Sequence, residues 1–67
     1  MTREDVRNQI AELKNADDHD DPEIVEEITL FEFALSHMTD NEWRLSQLRM
    51  PGRRSILCWA EDHMEVK

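Results

Sequence analysis

With one glycine and two prolines in 67 residues, the chain has little material for the tight hairpins of a small sheet. Its abundant Glu, Leu and Arg favour helices. A single cysteine, Cys58, excludes an internal disulfide and suits a reducing compartment. The longest unbroken apolar run, Ile56 to Ala60, is far too short to span a bilayer. The charged opening residues have no hydrophobic segment behind them, so no signal peptide is expected. Together these absences point to a soluble, cytoplasmic chain forming one domain. At this length about 60% of the unfolded surface is buried on folding, which leaves no room for a deep cavity inside one subunit.

What the sequence does have is helical punctuation. Thr2 and Asp5 form a shortened capping box, and Val6, Ile10 and Leu13 follow as a narrow apolar stripe. This predicts a first helix over 2–15. The segment Asn15 to Asp21 has no apolar period and reads as a loop. Asp21 before Pro22 is an N-cap followed by proline at the first helical position, with Glu23 in the positive first turn. Ile24, Ile28, Phe31, Leu35 and Met38 then recur at steps of four and three, predicting a central helix over 22–38.

Thr39 and Glu42 complete a second capping box, with Met38 and Trp43 as its hydrophobic staple. The stretch "MTDNEWR" at 38–44 therefore repeats the layout of the opening "MTREDVR". The two diverge at once afterwards, so the repeat is expected to be a shared helix start rather than a duplicated functional unit. It predicts a third helix over 40–49, broken by Met50, Pro51 and Gly52. Helical spacing over the remainder predicts a fourth helix over 55–65, with Ser55 as N-cap. Leu57, Ala60 and Met64 form one row, Ile56, Trp59, His63 and Val66 another, and Glu61, Asp62, Glu65 and Cys58 the polar side.

The expected fold is an all-α bundle of four short helices. Its expected core is Val6, Ile10, Leu13, Ile24, Ile28, Phe31, Leu35, Met38, Trp43, Leu48, Leu57, Ala60 and Met64. Leu30 and Phe33 lie off the main stripe of the second helix and are expected to form a second apolar strip that needs a partner of its own.

Charge is the most informative feature. The net charge is -8, and residues 17–32, which contain no Lys or Arg, carry all of it. A basic cluster follows in Arg44, Arg49, Arg53 and Arg54. The acidic loop lacks the glycine and terminal glutamate of a calcium loop, and no His or Cys pair has zinc-finger spacing, so no metal site is expected. There is no phosphate-cradling loop, nucleophile elbow or HExxH, and Cys58 lies among acids that disfavour its thiolate. Neither enzyme activity nor a cofactor is expected.

The expected partner is a basic protein surface, bound through Asp20, Asp21, Glu23, Glu26 and Glu27 with Leu30 and Phe33 as apolar anchors. Carboxylates spaced along a helix approach the phosphate spacing of a DNA strand, so a nucleic-acid-binding protein could accept this surface in place of its substrate. A small acidic helical chain of this kind is similar in style to the inhibitors that bacteriophages and mobile elements direct at host nucleic-acid enzymes. Two alternatives remain open. One is a homodimeric adaptor joined through Leu30 and Phe33. The other is a small DNA-binding regulator using Arg44 to Arg54, which the overall negative charge disfavours.

Overall fold

The computed structural model describes residues 1–64. Within them the chain is an all-α bundle of α1 (Arg3–Asn15), α2 (Pro22–His37), α3 (Asp40–Arg49) and α4 (Arg53–Met64). The first three helices start where local chemistry dictates. Thr2, Asp21 and Thr39 each accept a backbone N–H from the first turn, at 3.1 Å from Asp5, 2.9 Å from Glu23 and 3.2 Å from Glu42. Both capping boxes close, because Asp5 and Glu42 accept the N–H of their threonines at 2.9 and 3.0 Å.

The fourth start differs from the expectation. Helix α4 begins at Arg53, directly after Gly52, whose φ of 101° suits a residue without a side chain. Ser55 is not the cap but a buried residue of the first turn, and its hydroxyl donates to the Gly52 carbonyl at 2.9 Å. The expected end at 65, with Glu65 and Val66, lies outside the described residues.

Helix α2 supplies the middle of the core through Ile28, Leu30, Phe31 and Ala34. It packs against α1 on one side and α4 on the other, and α3 packs on α4. Val6, Phe31 and Ile56 are the largest fully enclosed side chains, and Ile10, Met38, Trp43 and Ala60 complete the buried set. Leu13, Ile24, Leu35 and Leu57 pack around it, half-buried.

Two expected core residues are not in the core: Leu48 is 74% exposed, and Met64 is also exposed. The reason is angular. Five residues separate Trp43 from Leu48, a rotation of about 140° on a helix of 3.6 residues per turn, so burying Trp43 turns Leu48 outward. On α4 the inward face runs through Ile56 and Ala60, which leaves Met64 at its edge.

The two Met-Thr segments, far apart in sequence, meet in space and hold one another. The Trp43 indole donates to the Met1 carbonyl at 2.8 Å, and the Arg3 guanidinium donates to the Met38 carbonyl at 3.2 Å. Arg3 also lies 5.1 Å from the Trp43 ring centre and 2.6 Å from Asp40. Gln47 extends this knot: its Oε1 accepts from the Met1 amino group at 2.7 Å and its Nε2 donates to the Ser55 hydroxyl at 2.9 Å. The start of α1 is thus tied to α3 and to the turn that launches α4.

Candidate functional site

The acidic residues of 17–32 fall into three physical groups. Asp17, Asp18, Asp20 and Asp21 are exposed in the turn before α2, where His19 Nδ1 contacts the Ala16 carbonyl at 3.1 Å. Glu23 and Glu26 are exposed on α2. Glu32 and Glu27 are already engaged: Glu32 meets Lys14 at 3.2 Å across a half-exposed pair, and Glu27 meets Arg53 of α4 at 3.1 Å.

Glu27 therefore needs correction as a free docking residue. Its side chain is only 17% exposed, and Oε1 is buried without an aligned hydrogen bond, so the two charges face each other as an ion pair alone. Removing Arg53 would strand the largely desolvated Glu27 carboxylate, a greater loss than breaking a pair in open water, whereas Arg53 is itself more than half exposed. The same contact shows that the acidic and basic segments do not lie wholly on separate faces. Of the basic cluster, Arg44 and Arg49 stand on α3, Arg54 is exposed at the start of α4, and Arg53 is drawn to Glu27.

Leu30 also needs correction. It is 8% exposed, a core residue rather than a projecting anchor, and only its remaining edge reaches the α2–α4 seam. Phe33 is partly buried, its ring centre 4.3 Å from that of His37 and 5.8 Å from that of Trp59, and Trp59 stacks on His63 at 3.9 Å. The expected Leu30 and Phe33 strip is thus covered largely by α4. Phe33 and Trp59 bridge the two helices, with an imidazole at each end of the row.

In place of that strip, α2 and α4 form an acidic groove. Glu26, Thr29 and Leu30 line it from α2, and Glu61, Asp62 and Met64 line it from α4. A shallower extension brings Glu23 and Arg53 to the same seam. Leu30 and Met64 give it an apolar floor, and Glu26, Glu61 and Asp62 a negative rim. Spacing along the chain could place Glu61 and Asp62 on the polar side of a helix. It could not place them opposite Glu26, which depends on how α4 crosses α2.

Two carboxyls are held below the usual range. Asp5 is lowered chiefly by the hydrogen bond from the Thr2 backbone N–H, and Glu42 chiefly by that from Thr39. Both belong to caps rather than to the groove. Among the described residues no group of three or more His, Cys, Asp or Glu is placed to hold a metal ion. Nor is any described helix long and apolar enough to cross a membrane. Comparison with known protein families, with characterised proteins and with solved structures finds no match.

Proposed function

We propose that the chain is a non-enzymatic, cytoplasmic binding module, an inhibitor or modulator that lays its acidic α2–α4 face on a basic surface of another protein. One observation carries this reading: Glu26 from α2 and Glu61 and Asp62 from α4 converge over the apolar floor of Leu30 and Met64. A lysine or arginine fits such a groove in both parts, its hydrocarbon stem on the floor and its charged head between the carboxylates. Long-range attraction from a chain of net charge -8 brings a basic partner in, and the desolvated contacts set how long it stays.

A surface that ordinarily holds nucleic acid suits this groove best. Glu23 and Glu26 stand about 4.5 Å apart along the helix axis, a spacing of the same order as the roughly 3.4 Å phosphate step of one DNA strand. This is the style of a DNA-mimicking inhibitor from a phage or mobile element. Direct DNA binding is less well supported, because Arg53 already faces Glu27.

The test is an NMR titration with a Lys/Arg-rich peptide, using the native chain and a Glu23→Lys, Glu26→Lys, Glu61→Lys variant that spares the Glu27 pair. The reading requires shifts concentrated at Glu23, Glu26, Glu61 and Asp62, and affinity that falls as salt rises. It also requires a loss of at least about tenfold in the variant. Shifts spread evenly over every exposed carboxylate, including Glu4 and Glu12 of α1, would defeat it.

A further inference from the structure

The surface that remains without a role is the outer side of α3. Trp43 turns inward, so Asn41, Arg44, Leu45, Leu48 and Arg49 are left facing solvent. Leu45 at 56% and Leu48 at 74% are the two most exposed large apolar side chains described. Three residues apart, they are neighbours on one face. Beside them a groove of about 410 Å³ runs between α3 and α4, floored by Leu45, Met50 and Trp59, with Cys58 in its wall. A projecting apolar side chain and an apolar groove therefore share one side of the molecule.

We propose that this face is a self-association surface. Two copies pair about a two-fold axis with their α3 helices antiparallel, and Leu48 of each sits in the α3–α4 groove of the other. Charge selects a second copy over other occupants. Helix α3 carries Asp40 and Glu42 in its first turn and Arg44 and Arg49 further on, so it is neutral in a chain of net charge -8. It is where two copies approach without the repulsion that their α2 faces would generate.

Glu42 and Arg49 both line the groove, near opposite ends of α3, and Arg49 forms no ion pair among the described residues. An antiparallel two-fold arrangement sets Arg49 of each copy against the carboxylate of Glu42 in the other. Knob, socket and both charges lie on the same patch, as an isologous interface requires. Asp62 lines both grooves, whereas Glu26 and Glu61 of the acidic α2–α4 groove stay outside the contact, so a dimer would present those two carboxylates twice.

The helix is only about 15 Å long, which places the contact at the small end of specific interfaces and its affinity in the micromolar range or weaker. Sedimentation equilibrium from about 10 µM to about 1 mM is the test. The mean mass is expected to climb from 8.0 kDa toward twice that value. Leu48→Glu should weaken association at least about tenfold, and Arg49→Glu should also weaken it, by placing like charges together. Leu48 is exposed, so an unchanged thermal melt of the variant confirms that the fold survives. Val25→Glu adds the same charge at an exposed apolar site on α2 and should leave association unaltered. A single 8.0 kDa species at every concentration overturns the proposal. So does a dimer that Leu48→Glu leaves intact, or one that Val25→Glu weakens equally.

Discussion

Thr2 and Thr39 cap their helices with the same pair of bonds, yet the helices they start are used differently. After Thr2, the staple residue Val6 goes fully into the core, and Ile10 continues along α2. After Thr39, the staple residue Trp43 is buried but keeps its indole N–H for the Met1 carbonyl, and the next apolar residues, Leu45 and Leu48, face outward. An identical local start thus guarantees a helix without guaranteeing which faces of it are covered. Cover comes from neighbours: α1 packs on the central helix α2, whereas α3 has α4 and the opening residues of the chain.

Truncating the two staples should break the comparison most sharply. Trp43→Ala removes a buried ring and the donor to Met1, at a cost of about 3 to 5 kcal/mol. A chain of 67 residues has only about 3 to 10 kcal/mol to lose, so this variant should be largely unfolded or marginal by chemical denaturation. Val6→Ala, at roughly 2 kcal/mol, should leave a cooperative transition at lower denaturant. The reverse ranking would mean that the knot between the two segments contributes little.

The caps come next. Thr2→Ala and Thr39→Ala should each cost about 1 kcal/mol. Because the segments grip one another through Arg3, Trp43 and Asp40, the double variant should depart from the sum of the singles by more than about 0.5 kcal/mol. Strict additivity in urea melts would show the two starts to be independent.

The smallest effect is that of acid. Asp5 and Glu42 titrate lower in the fold than in the open chain because each accepts its threonine's backbone N–H. A carboxyl with a depressed folded value stabilises above its unfolded value, and that gain drains away as pH falls through the folded one. Both helix starts should therefore loosen together below about pH 4, read as parallel shifts of the Thr2 and Thr39 amide resonances. Loosening of only one would separate them.

The sequence announced its boundaries because caps are local chemistry. Asp21 with Pro22, and each threonine with the carboxylate three residues on, name a helix start without reference to the rest of the chain. Burial was less legible. Leu30 reads as a surface residue as long as α4 is not known to lie over it, and α4 hid its own orientation because its start rests on Gly52 rather than on the plausible cap Ser55. Leu48 was readable in principle, since it cannot share a face with Trp43. The candidate groove was half visible: Glu23 and Glu26 stand out by charge, but Glu61 and Asp62 join them only through helix crossing.

The knot around Gln47 also bears on how the chain folds. Its bonds join residues 46 and 42 positions apart, whereas the helices pair with the next in the chain or, for α2 with α4, the next but one. Contacts of such wide separation carry the heaviest loop-closure cost and are expected to form after α2 and α4 have paired. Side chains in the knot therefore act as a latch on the finished bundle. Weakening them is expected to speed opening more than it slows assembly, so that they set the lifetime of the native state rather than the ease of reaching it.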